Sequence, residues 1–194
     1  MDLVLKLLLG IGLAIPCGLN PYLPLLVLGI VGLGKRIPLY APFDFLASWP
    51  SLAILVVLVG LDVFGNKLPQ IRALYTKLNY VIRPLAGGLA VAAVISPEVL
   101  PSVASFAIGA ALATATFYVN SSLRPALLTR NKTAVLLLPL LSVGDDGIAM
   151  AVSLLTIFVP TVGGVLAIFI LGLMSWWLFS LRQSPVVPVV PTEQ

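Results

Sequence analysis

The sequence predicts an all-α integral membrane protein with about six transmembrane helices. Hydrophobic residues make up 60% of the 194 positions and charged residues only 9%, whereas a soluble domain carries about 25% charged residues. Apolar runs recur from Leu3 to Leu181, and no hydrophilic block between them is long enough to form a separate domain. We therefore expect a single transmembrane domain over residues 1–183, with the lipid bilayer as its surroundings.

Six stretches approach the ~20 mostly apolar residues that a helix needs to cross a bilayer. The first runs from Leu3 to Gly34, and because Pro16, Gly18, Pro21 and Pro24 interrupt it, we expect it to break. The others are roughly Ser51 to Pro69, Tyr80 to Ile95, Ser102 to Leu123, Thr133 to Phe158 and Pro160 to Leu181. Residues 184–194 are a proline-rich tail, which we expect to be extended or disordered.

The positions of the basic residues predict a multi-pass protein with both termini in the cytoplasm. With six spans and the N-terminus inside, all eleven Lys and Arg residues except Lys35 and Arg36 fall on the cytoplasmic side. Met1-Asp2 lacks the basic start of a signal peptide, so the first apolar run is expected to be retained.

Two halves of the chain share three features in the same order. Leu19-Asn20-Pro21 matches Leu123-Arg124-Pro125, and a Pro-x-x-Gly-Gly segment occurs both at Pro84 and at Pro160. Between these marks each half has an acidic helix. We interpret this as a repeat over residues of about 1–96 and 102–183, and three helices per unit would give an inverted 3+3 arrangement, as in many secondary transporters.

The repeat predicts where helices break and where they pack. Substrate sites in inverted-repeat transporters often lie where a helix is interrupted, and the expected breaks are at Pro16, Pro21 and Pro125. Small residues let membrane helices approach closely, and the residues expected to serve this purpose are Gly87, Gly88, Gly163 and Gly164.

Three carboxylates need an explanation, because an ionisable residue at the centre of a membrane helix costs about 2.5 to 3.5 kcal/mol. Asp62 is either paired locally with Lys67 or part of a pathway. Asp145 and Asp146 point about 100° apart on a helix, so at most one of them faces a narrow pathway well, and the other needs a partner. Arg83 or Arg124 would supply that partner, or a desolvated carboxylate would exchange protons.

Several functional classes are excluded by composition. The chain has no histidine and one cysteine, Cys17, which leaves no disulfide framework and no histidine-based metal or catalytic site. We expect no metal and no cofactor. The basic residues lie beside apolar runs, so nucleic acid is not an expected partner. An intramembrane aspartyl protease would use Asp62 and Ser142-Val143-Gly144-Asp145, but the first glycine of its Gly-x-Gly-Asp motif is missing, so we expect no enzyme.

The order of motifs resembles a bacterial and plastid membrane family known as domain of unknown function 4126. The segments that carry the resemblance are Gly18-Leu19-Asn20-Pro21-Tyr22-Leu23-Pro24, Asp62-Val63-Phe64-Gly65-Asn66-Lys67-Leu68-Pro69, Ile82-Arg83-Pro84-Leu85-Ala86-Gly87, Leu123-Arg124-Pro125 and Ser142-Val143-Gly144-Asp145-Asp146. The resemblance implies a bacterial inner membrane or a thylakoid-type membrane. Family members resemble one another in carrying an acid at the position of Asn66, so this chain has one carboxylate fewer.

Together these observations predict a polar cluster between the two repeat units, formed by Asn20, Asp62, Arg83, Arg124, Asp145 and Asp146. The hypothesis is a transporter or channel for a small ion or polar solute, with proton coupling as one version. The alternative is a membrane assembly or scaffold protein whose aspartates and arginines pair for stability or bind a partner. Either function is compatible with a homo-oligomer.

Overall fold

The computed structural model describes residues 3–65, 69–130 and 138–183, and within these ranges the chain is helical with no strand. This confirms the predicted all-α class. A short 3₁₀ helix, Phe43–Ala47, precedes α3. The α-helices are α1 Leu3–Cys17, α2 Tyr22–Leu33, α3 Trp49–Gly65, α4 Pro69–Val94, α5 Ser102–Arg130, α6 Leu138–Phe158 and α7 Pro160–Gln183. The predicted tail, residues 184–194, lies outside the described residues.

Three helices in the described part of the chain are long and apolar enough to cross a membrane. They contain the segments Ser102–Arg124, Leu141–Phe158 and Pro160–Leu181. Helices α1, α2 and α3 are apolar but shorter, at 15, 12 and 17 residues. At 1.5 Å per residue, α1, α2 and α3 are about 22, 18 and 26 Å long. Helices α1 and α2 fall well short of a hydrocarbon core of about 30 Å, and α3 falls slightly short of it. The long helices indicate membrane association.

The first apolar run of the sequence forms two helices, α1 and α2. Pro16 lies in the last turn of α1, and the N–H groups of Gly18 and Asn20 donate to the carbonyl oxygens of Ile15 and Pro16, both at 3.0 Å. Pro21 directly precedes α2 and has no N–H that an extra helical turn would need. The chain is therefore free to change direction between Cys17 and Tyr22.

After this interruption the chain returns to the end of the bundle where α1 starts. Lys6 Nζ lies 3.1 Å from Ser96 Oγ and 3.4 Å from Tyr40 Oη, and the Tyr40 N–H donates to Ala93 O at 2.9 Å. The start of α1, the α2–α3 connection and the end of α4 thus meet at one end, which we call the Ser96 end. This differs from the sequence-based topology, in which Lys6 lay across the membrane from both connections.

Helix α1 lies in the interior and contacts α4, α5, α6 and α7. Leu9, Leu13 and Ala14 are fully buried against residues of α4 that include Ala90 and Val91. The Thr156 hydroxyl donates to Val152 O at 2.7 Å and reaches Gly12 O at 3.3 Å. A central apolar helix surrounded by four others explains why so few residues of α1 are exposed.

Glycines lie where these helices approach most closely. A Cβ at Gly164 would lie 2.7 Å from Leu8 O, and one at Gly88 would lie 2.7 Å from the Phe106 ring. A Cβ at Gly163 would overlap the Thr156 backbone, and one at Gly87 would lie 2.5 Å from Gly109 O. The four glycines expected at packing positions therefore lie at interhelical contacts with no room for a side chain.

Replacing Gly87 with alanine is predicted to destabilise the helix pair α4–α5 by about 1 to 3 kcal/mol, the cost of overpacking. The matched control is Gly60→Ala on α3, where a Cβ would meet nothing within 4 Å. There the change should be neutral or stabilise by up to about 1 kcal/mol, because alanine favours helices over glycine. Unfolding temperatures in detergent micelles test both, and equal values for the two variants would contradict the assigned packing.

Candidate functional site

The candidate site is centred on Asn20, in the link between α1 and α2. Its side chain is buried, with 2% of its surface exposed. Nδ2 lies 2.8 Å from Asp62 Oδ2 on α3 and 2.9 Å from Asp146 Oδ1 on α6. Oδ1 accepts hydrogen bonds from the N–H groups of Tyr22 at 3.0 Å and Leu23 at 3.2 Å. One amide therefore joins the link, α3 and α6.

The partners fix the orientation of this amide. The backbone N–H groups of the first turn of α2 can only donate, so the oxygen of Asn20 must face them. This is the role in which asparagine is favoured at helix starts. The NH₂ group then points away from α2, and both of its hydrogens are directed to carboxylates. The start of α2 thus fixes the Asn20 side chain through its oxygen and directs the NH₂ group to the two aspartates.

The two carboxylates come from different helices and lie close together. Because both accept from the same nitrogen, their bonded oxygens are within about 6 Å of each other, a range in which charges interact strongly. Asp62 is 5% exposed, whereas Asp146 is only partly buried. The donor between them is neutral. The arrangement can therefore share a proton or hold a small cation beside a fixed amide.

Asp145 has a different environment from Asp146. Its Oδ2 accepts from Arg124 Nη2 at 2.5 Å and from Asn120 Nδ2 at 2.8 Å, both on α5. The exposed fractions of the Asp145 and Arg124 side chains are 17% and 32%. The two adjacent aspartates thus point to different partners, as the helical period requires, and Asp145 forms an ion pair that joins α5 to α6.

Arg83 borders the link from α4. Its Nη1 donates to Gly18 O at 2.6 Å, and the guanidinium lies over the Phe117 ring at 4.5 Å from the centroid. A cation beside the last carbonyl groups of α1 also complements the dipole of that helix. Arg83 therefore positions the link that carries Asn20.

The structure divides the six predicted cluster residues into adjoining groups. Asn20, Asp62 and Asp146 form one hydrogen-bonded group, Arg124 and Asp145 form another, and Arg83 contacts Gly18 beside the first. Lys67, the local partner proposed for Asp62, lies outside the described residues. Pro16 and Pro21 flank the interruption between α1 and α2. The break expected at Pro125 does not occur, because α5 continues from Ser102 to Arg130. Proline inside α4 is tolerated likewise, at Pro84.

Two further polar residues were missed by the sequence-based reasoning. Asn120 and Asn79 are buried on α5 and α4, and neither carries a charge that marks it as costly in a membrane. Their signal was an asparagine one helical turn before an arginine, Asn79 before Arg83 and Asn120 before Arg124.

Within the described residues, no three His, Cys, Asp or Glu side chains converge in a way that could hold a metal ion.

The chain matches one family of known sequences, described as a domain of unknown function, DUF4126, over residues 7–180. No curated protein and no solved structure matches it. The matched range includes α2 to α6 whole, and with them Asn20, both arginines and all three aspartates of the cluster. The chain therefore belongs to the DUF4126 family.

Proposed function

We propose that the protein is a transporter or channel for a small cation, with proton coupling, and that Asp62 and Asp146 bind the ion or carry the proton. One observation supports this most directly. Two carboxylates from separate helices meet at a buried amide where a helix is interrupted. Interrupted helices near the midplane, with polar groups turned inward, are the usual setting of ion sites in membrane transporters.

Electrostatics favours an exchangeable positive charge at this place. Two ionised carboxylates so close together repel, and removing them from water adds a further cost. A shared proton or a bound cation relieves both. The Asn20 amide supplies hydrogen bonds without a fixed charge, so the charge that completes the site is free to come and go.

We further infer a topology in which α1 and α2 form a re-entrant pair. The pair enters from the Ser96 end, reaches the interior at Asn20 and returns, and then α3 to α7 cross in turn. This gives five crossings, with the termini on opposite sides of the membrane. By sequence, the basic residues at or near the end opposite Ser96 are Lys67, Arg72, Lys77, Arg124, Arg130, Lys132 and Arg182. That end is then cytoplasmic, and so is the C-terminus.

An inverted relation between the halves holds in this topology for two helices of each unit. Helix α3 runs away from the Ser96 end and α6 runs toward it, and α4 and α7 are likewise opposed. The first elements differ, because the first unit opens with a re-entrant pair and the second with the long helix α5. We therefore propose an inverted relation of α3 and α4 to α6 and α7, and we do not extend it to the first element of each unit.

The two ends of the site differ in how they are closed. Toward the Ser96 end lie the buried side chains of Leu9 and Leu13 and the contacts of Lys6 with Tyr40 and Ser96. Toward the other end lie Asp145 and Arg124, both partly exposed. We propose that the ion reaches Asp146 from the cytoplasmic end and that the Ser96 end opens in a second state.

Two other functions use parts of the same geometry. The ion pair of Arg124 with Asp145 favours a scaffold, because it is local and joins two helices. The approach of Asp62 and Asp146 also suits an aspartyl protease, but Asn20 Nδ2 lies between the carboxylates, where the attacking water would have to lie. A bound proton or cation can lie beside the two carboxylates while the Asn20 amide stays in place between them. Such a site therefore requires no space between the carboxylates for a peptide bond.

Asp146→Asn is predicted to lower cation or proton flux into proteoliposomes at least about tenfold, a change that corresponds to roughly 1.4 kcal/mol. The variant keeps an oxygen that can accept from Asn20 and loses the charge. Flux is measured with a pH-sensitive dye inside the vesicles and with labelled alkali cations, under an imposed membrane potential.

Asp145→Asn is the matched control, since it makes the same chemical change at the adjacent residue. We expect a lower unfolding temperature, because Arg124 loses its ion partner, and little change in flux per folded molecule. If Asp62→Asn and Asp146→Asn both fold and both retain the full flux, these carboxylates do not carry the transported charge.

The re-entrant topology predicts which sites are labelled from the same side. In a Cys17→Ala background, Leu3→Cys and Glu98→Cys should react with a membrane-impermeant maleimide from one face of oriented vesicles. A cysteine appended after Gln194 should react from the other face. Labelling of Leu3→Cys and of the appended cysteine from the same face would mean an even number of crossings and would refute the topology.

A further inference from the structure

Asn79 on α4 has a buried acceptor that nothing in the described part of the chain satisfies. The residue is 7% exposed, and Oδ1 meets no hydrogen-bond donor among the described residues. A buried carbonyl oxygen that has given up its hydrogen bond to water is costly. Such a group is rare in native interiors and calls for a specific explanation.

The position of Asn79 relates it to the link between α1 and α2. It lies four residues before Arg83, so the two side chains share one face of α4. Arg83 reaches Gly18 O at 2.6 Å. Asn79 is one helical turn, about 5.4 Å, farther from the Ser96 end. Its buried side chain therefore lies one turn beyond the level at which Arg83 contacts the link between α1 and α2.

The register of α4 against α5 adds a second amide at the same level. Tyr80 packs edge-on against Phe117, with ring centroids 4.8 Å apart, and Gly87 packs against Ala113. Because these helices run in opposite directions, this register brings Asn79 level with Asn120. Asn120 is also buried, and it donates to Asp145 at 2.8 Å. The polar layer thus extends from α6 through α5 to α4.

We propose that Asn79 is a further binding residue on the path between the cytoplasmic end and Asp146. Its Oδ1 supplies a lone pair to the positively charged species in transit, either a protonated water that donates a hydrogen bond or an alkali cation that it coordinates. This inference rests on the proposed transport function. It explains why a neutral acceptor with no donor among the described residues is buried one turn beyond the interruption, level with the hydrogen-bonded Asn120.

The test compares Asn79→Leu, Asn79→Thr and Asp146→Asn in proteoliposomes. Asn79→Leu has a similar volume and no acceptor, and it should lower flux about tenfold or more while stability is unchanged or higher, because the unsatisfied group is gone. Asn79→Thr keeps an oxygen and should retain more flux than Asn79→Leu. Separate proton and Na⁺ or K⁺ measurements identify which species loses its binding group.

The outcomes separate this inference from the proposed function. If Asp146→Asn abolishes flux and Asn79→Leu leaves it intact, Asn79 is only an imperfectly packed side chain and the inference fails alone. If wild-type vesicles are no faster than empty ones, both fail. Should Asn79→Leu not fold, Asn79→Ala and Asn79→Thr replace it as the matched pair, and equal fluxes in these two overturn the inference.

Discussion

The hydrogen bonds of Asn20 are the interaction on which the rest of the site depends. One planar amide satisfies two backbone N–H groups at the start of α2 and two carboxylates on α3 and α6. Each of its donors and acceptors has a partner, so the amide has no freedom to turn without losing several bonds at once. A side chain with fewer groups would leave either the helix start or the carboxylates unsatisfied.

The close packing of α1 allows Asn20 to lie in the interior of the bundle, where it meets the two aspartates. A polar link can lie deep in an apolar bundle only if the helix that leads to it is surrounded closely, and glycines provide the necessary approach at Gly12 and Gly164. Arg83 then holds the link that follows α1 through a hydrogen bond to Gly18 O. The interior position of Asn20 is therefore a product of small residues on the neighbouring helices as much as of the prolines beside it.

Composition was sufficient to predict the helical membrane class, and the proline and glycine pattern was sufficient to predict an interruption near Pro16 and Pro21. The direction of the chain after the interruption was not predictable, because contacts between distant residues decide it, such as that of Lys6 with Ser96. Charge identified the aspartates and arginines as residues that need partners. It did not identify Asn79 or Asn120, since neutral amides give no comparable signal in an apolar sequence.

The Asp145-Asp146 pair illustrates how one dipeptide can serve two roles. An angle of about 100° between successive side chains directs one carboxylate to α5 and the other to the link. Asp145 meets a fixed cation, Arg124, and a fixed cation makes a carboxylate a poor site for an exchangeable one. Asp146 accepts from the neutral Asn20 amide beside a second carboxylate, and the transport proposal assigns its charge to a mobile partner. Anchoring α6 through Asp145 holds Asp146 in place without neutralising it, and this division is what the ion-handling proposal requires of the helix.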